Sequence, residues 1–198
     1  MKTKTNWLVK VGMLSAISFI LMLLEFPIPF LAPPFYELDF SEVPVLIGAF
    51  ALGPWAGVTI EFIKILLNLL LNGTITAGVG EAANFLIGVS YILPAALIYR
   101  RFKTKKGAVF GMTVGSVSLV VLGGFLNLYV LIPTFGSALH LPMDAFVKMG
   151  SEIFPVVNSL KMLVLVCVVP FNALKVLVTS LITGLIYKHI SPILKSAK

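Results

Sequence analysis

Charge is scarce in this chain. Only 12% of its 198 residues are Asp, Glu, Lys or Arg, while 59% are hydrophobic. A soluble domain of this length carries about twice that charge to cover its surface. Mean hydropathy is +1.04, which leaves integral membrane proteins as the class that fits. Cysteine is nearly absent: Cys167 stands alone in an apolar run. That excludes an internal disulfide and reads as an inert thiol. His140 and His189 are isolated, so no metal site is expected. There is no G-x-x-x-x-G-K-[ST] run for ATP hydrolysis and no G-x-S-x-G nucleophile elbow. No inverted repeat was found, which disfavours a self-sufficient secondary transporter. No catalytic residue is assigned.

What the chain has is long apolar runs. A spanning helix takes about 20 residues, so six spans use about 120 and leave no room for a second, soluble domain. Residues 1–198 are therefore read as one transmembrane domain. The segments are about Leu8–Leu24, Val43–Leu52, Trp55–Leu71, Ala82–Ile98, Ala108–Ile132 and Met162–Tyr187. The first follows a basic start, as in a signal peptide, but no small-residue cleavage site follows it, and it reads as a retained helix. The second is too short to cross upright and ends at Gly53-Pro54. Either it begins near Phe40, or the Gly-Pro is a kink within the membrane. Pro170 lies inside the sixth.

The net charge of +7, from 15 bases and 8 acids, reads as topology and not as a nucleic-acid footprint. Lys2, Lys4, Lys10, Arg100, Arg101, Lys103, Lys105, Lys106, Lys188, Lys195 and Lys198 all fall on one side of the spans. Glu25, Glu37, Asp39, Glu42, Asp144 and Glu152 fall in the opposite loops or at their edges. Because Lys and Arg gather on the cytoplasmic side, the expected fold is an all-α integral membrane bundle of six transmembrane helices with both termini cytoplasmic.

The outer loops and the buried polar residues point to a binding function. Residues 26–41 read FPIPFLAPPFYELDFS, with four prolines and four phenylalanines. A stiff apolar loop over the mouth of a bundle suits a lid, and a tether in the headgroup region is the plainer alternative. The second loop, NGTITAGVGE at 72–81, has glycines that allow close approach to a ligand or merely a tight turn. The third, about Pro133 to Leu160, is long enough to include a short helix on the bundle. A charge in mid-membrane costs about 2.5–3.5 kcal/mol, so each one needs a reason. Glu61, Lys64 and Asn68 share one helix face, where Glu61 and Lys64 can pair. Glu81, Asn84, Gly88 and Tyr91 share another, and Asn172, Lys175 and Thr179 a third. Lys175 is mid-segment with no acid within four residues, so its partner is a ligand or a buried acid such as Glu61. With Asn127 and Asn172 it suits the edge of a flat heterocycle, although asparagines also serve as interhelical glue. Gly12 and Ala16, four apart in the first segment, let another helix approach closely.

Several long runs resemble one family. They are Ile28 to Pro54, GVGEAANF at 78–85, LPAALIYR at 93–100, KTKKGAVFG at 103–111, LNLYVLIP at 126–133 and PFNALKVLV at 170–178. Together they are similar to the S components of energy-coupling factor (ECF) transporters, and most to the riboflavin-specific branch. The stretch from about Phe135 to Val169 is least like the family. The resemblance implies a multi-pass protein of the bacterial cell membrane that binds riboflavin as transported ligand, with no cofactor and no ATPase of its own. It implies as partners a transmembrane coupling subunit and two cytoplasmic ATPases, besides the lipid bilayer. It also implies ligand contacts from Asn127, Asn172 and Lys175, to which Asn84, Gly78 and the lid residues Tyr36 and Glu37 are added. It implies a coupling-subunit contact at Gly12 and Ala16, with Gly where the family more often has Ala. Few bases face outward, Lys148 and Lys161 among them, so an anionic cargo is disfavoured. Thiamine is the alternative cargo. A purely structural subunit and a small intramembrane enzyme are the competing classes. The latter is disfavoured because the acids are spread over separate loops.

Overall fold

The computed structural model describes residues 2–195; Lys198, counted above with the basic end, lies outside them. Nine helices and one two-stranded ribbon are present among the described residues. They are α1 (Lys2–Met22), β1 (Phe26–Pro27), β2 (Glu37–Leu38), α2 (Glu42–Leu52), α3 (Pro54–Asn72), α4 (Val79–Arg101), α5 (Lys105–Leu126), α6 (Ile132–Leu139), α7 (Met143–Ile153), α8 (Leu160–Leu163) and α9 (Val169–Lys195). Wide π-type turns at Asn127–Leu131 and Val164–Val168 join α5 to α6 and α8 to α9. Two helical runs of 35 residues result, Lys105–Leu139 and Leu160–Leu194. With α1, α3 and α4 they make five helices long and apolar enough to cross a bilayer among the described residues, and α2 is a shorter apolar helix.

The short second segment starts at Glu42, not near Phe40, and the Gly53-Pro54 pair is the apex of a hairpin and not a kink. Gly53 takes φ 112°, open to glycine, and Pro54 starts α3 where a missing N–H costs nothing. Helix α3 doubles back tightly along α2: a Cβ on Gly57 would stand 2.5 Å from Ala49 Cβ, and one on Gly48 2.3 Å from Ile60 Cδ1. Nine of the eleven α2 residues are buried, because α1, α3, α4 and α9 all pack on it.

The α4–α5 pair is built on two glycines one turn apart, Gly111 and Gly115. A Cβ on Gly111 would meet the Ala95 carbonyl oxygen at 2.6 Å, and one on Gly115 the Tyr91 oxygen at 2.2 Å. Small residues here let the two backbones touch. Thr104 caps α5, its hydroxyl accepting from Gly107 N–H at 3.0 Å. Pro170, expected inside a continuous span, directly follows the second π turn, where the ladder is already interrupted.

The third outer stretch holds two helices, α6 and α7, more than the single short helix expected. They build a second apolar cluster around Ile132, Phe146, Val157, Leu163 and Phe171. The lid belongs to this cluster through Ile28, Ala32 and Leu38. Its stem is pinned by the β1–β2 pairing, Phe26 opposite Leu38 and Pro27 opposite Glu37.

Candidate functional site

Beneath the lid lies a cavity of about 290 Å³, near the lower edge of the roughly 300–1,000 Å³ usual for small-molecule sites. The lid supplies Phe35, Tyr36, Glu37 and Asp39. Helix α4 supplies Gly80, Glu81, Asn84 and Gly88, and the first π turn supplies Asn127. Phe171, Asn172 and Lys175 come from α9. Six of the seven ligand candidates therefore meet at one cavity: Tyr36, Glu37, Asn84, Asn127, Asn172 and Lys175. Gly78 does not line it. That residue takes the left-handed position before α4, at φ 88°, and Gly80 lines the wall in its place. Asn68 and Gly88 line the cavity as well, whereas Tyr91 and Thr179 of the same stripes are buried.

The polar groups divide into spent and unspent. The Tyr36 hydroxyl donates to Asn127 Oδ1 at 2.7 Å, and Asn127 Nδ2 donates to the Gly123 carbonyl at 2.8 Å. Burial pushes the Tyr36 phenol up, so it stays a donor. The side-chain amides of Asn84 and Asn172 make no hydrogen bond among the described residues and face the cavity. Lys175 Nζ donates to Asp39 Oδ2 at 2.7 Å. Its partner is thus the lid aspartate and not Glu61. An ammonium carries three donors, so two remain for a guest.

Asp39 was missed in the sequence and is central here. Its Oδ1 accepts from Ser41 N–H at 2.7 Å. Burial alone would raise its carboxyl, but Lys175 and Lys64 outweigh burial and hold it down at about 2. Next to it, Lys64 pairs at 2.8 Å with both Glu42 and Glu61. The expected Glu61–Lys64 pair therefore exists, with Glu42 as an unforeseen third member. Lys64 also reaches Ser41 Oγ at 3.3 Å, and Ser18 on α1 donates to the Ser41 carbonyl. The lid's inner end is thereby fixed to α1, α3 and α9 at once. The outer carboxylates are less settled. Burial, then Glu37 and Asp39, raise the Glu25 carboxyl above its ordinary value.

Aromatic rings form one wall. Tyr36 lies 5.7 Å from Phe171 and 4.6 Å from Phe35, centroid to centroid, and Phe35 meets Phe146 edge-on at 5.5 Å. The result is a half-apolar slot with amides and an ammonium on one side and carboxylates around its rim.

The family sequence model for "ECF transporter, substrate-specific component" matches residues 6–187. The chain belongs to this family. Two curated relatives are similar along nearly their whole length. The riboflavin transporter RibU of Staphylococcus aureus (strain TCH60) is 36% identical over 95% of this chain and 92% of that protein. The riboflavin transporter FmnP of Bacillus subtilis (strain 168) is 34% identical over 96% and 94%. A solved structure, described as the S component of a bacterial ECF transporter, superposes with TM-score 0.76 at 33% identity. It covers 97% of this chain and 99% of that one. As an S component, this protein is a transporter subunit and not an enzyme, and its apolar helices make it multi-pass. The small-residue pair Gly12 and Ala16 lies on the exposed side of α1, and a Cβ on Gly12 would meet nothing within 4 Å.

Proposed function

We propose that this S component captures riboflavin in the cavity under the lid. The observation that carries the reading is the convergence of Asn84, Asn127, Asn172 and Lys175 on a slot walled by Phe35, Tyr36 and Phe171. A flavin ring is flat and apolar on its faces, and its edge alternates acceptors with one N–H. Two unspent amides and the remaining donors of Lys175 suit that edge, and aromatic faces suit the ring. The rim carboxylates Glu25, Glu37 and Glu81 suit the hydroxyls of the sugar-alcohol tail as acceptors. In the closed form the Tyr36 hydroxyl occupies Asn127, and entry of the ring exchanges that bond for one to the guest.

The same reading has six spans, α2 included, with both termini cytoplasmic in a bacterial cell membrane. A transmembrane coupling subunit docks on the Gly12–Ala16 face, and two cytoplasmic ATPases drive reorientation and inward release. The chain supplies no ATPase.

Thiamine is the second reading. The lining holds five carboxylates (Glu25, Glu37, Asp39, Glu42 and Glu81) against the one ammonium of Lys175, a balance that favours a cation and opposes a flavin phosphate. Titrating the detergent-purified chain with riboflavin while following flavin fluorescence separates the two. Saturable quenching at one flavin per chain is expected. Indifference to riboflavin with saturable thiamine binding would replace the cargo and leave the fold assignment standing.

A further inference from the structure

A second concavity lies on the opposite side of α9 from the lid, between α5 and α9, with a volume of about 830 Å³. Val109, Val117 and Val121 line it from α5 and Leu177, Leu181 and Leu185 from α9, and all six are more than half exposed. Two of its three hydroxyls are already committed: Thr113 donates to the Val109 carbonyl at 3.0 Å, and Ser180 bonds the Tyr91 hydroxyl at 2.8 Å, which leaves Ser116. The groove therefore offers an occupant mainly apolar contact area, with the Ser116 hydroxyl as its one uncommitted polar side chain among the described residues. From Val109 to Val121 it runs about 18 Å, at ~1.5 Å per residue, slightly more than one leaflet of a ~30 Å hydrocarbon core.

One end of the groove is charged. Lys105 and Lys106 precede Val109 by four and three residues, and Lys188 follows Leu185 by three, so each lysine continues a groove-lining stripe by one turn. All three are exposed, and no acid lies within ten residues of any of them. Basic pockets between transmembrane helices hold anionic headgroups. We propose that the α5–α9 groove seats one acyl chain of an anionic phospholipid whose phosphate is held by Lys105, Lys106 and Lys188.

The experiment offers the full chain in detergent an equimolar mixture of phosphatidylglycerol and phosphatidylcholine with identical acyl chains. The retained lipid is read by native mass spectrometry. One phosphatidylglycerol per chain, retained at least about tenfold over phosphatidylcholine, is expected. The variant K105Q/K106Q/K188Q should bring that ratio to about one. Gly184→Phe places a ring in the groove, where a Cβ meets nothing within 4 Å, and should lower retention of both lipids. Unchanged helical circular dichroism in both variants keeps misfolding from mimicking either result. Equal retention of the two lipids by the natural chain, a preference that survives both variants, or a second copy of the chain in place of lipid would each overturn the proposal.

Discussion

Lys175 meets the geometric condition of both roles that the sequence presented as alternatives. It closes an ion pair with Asp39 and still turns its remaining donors to the cavity. Truncating it confounds them, since the aspartate is then left without its cation. Asp39→Asn keeps the ammonium and should change riboflavin affinity by no more than a few-fold. Adding Lys175→Met to that variant should cost about 2 kcal/mol, roughly 30-fold in Kd, the worth of a hydrogen bond from a charged donor. Equal affinities for the single and double variants, measured by fluorescence titration, would remove Lys175 from the ligand's contacts.

The same pair carries a pH signature. Asp39 is held at about 2 against an ordinary 3.8. A depressed acid contributes stability that is complete above its ordinary value and is lost as pH falls through the folded value. The difference in melting temperature between the natural chain and Asp39→Asn should be flat from pH 8 to 5 and shrink below about pH 4. A difference that changed between pH 8 and 6 would assign the stabilisation to another group. Asp39 itself was not legible. Its partner is 136 positions away, and nothing in the local run distinguishes it from Glu37. Lys64 with Glu61 was legible because they stand three apart on one helix, while Glu42 needed the α2–α3 hairpin to bring it in.

At the scale of elements, hydropathy located the apolar segments and Gly-Pro marked the right break, but the nature of the break depended on packing. A kink and a hairpin carry the same two residues. What decides is the close approach at Gly48 and Gly57, which only the folded pair displays. The α4–α5 contact follows the same logic. Gly115→Leu drives a side chain into the Tyr91 carbonyl and should destabilise by about 1–3 kcal/mol or more, as overpacking does. Gly184→Leu, where the added carbon meets open space, should leave the melting temperature nearly unchanged. Similar losses for both would remove the backbone contact as the cause, since replacing Gly by Leu improves helix propensity at either site. The two π turns were not visible in advance, since their residues are as apolar as the helices around them.

For the whole molecule, charge bias and the long family-like runs were sufficient for class and family, and the least family-like stretch became α6, α7 and α8. These elements carry the lid. The outward face of α1 is a separate region, away from the cavity lining. Gly12→Leu should therefore leave riboflavin binding by the isolated chain intact and reduce riboflavin uptake in cells that hold the coupling partners by at least about tenfold. Uptake at the natural rate would remove Gly12 from the coupling face.

The wrapping of α2 has a consequence for biosynthesis. An eleven-residue helix that begins with Glu42 cannot enter a bilayer by itself, because it is about half the length that insertion requires. It is accommodated only because protein, not lipid, surrounds it. Helix α3 is long enough to cross by itself, so it is α2 that must wait for α4 and α9 to complete its surroundings. Assembly of this membrane subunit ends with its middle, and a chain truncated before α9 leaves one flank of its second segment uncovered by protein.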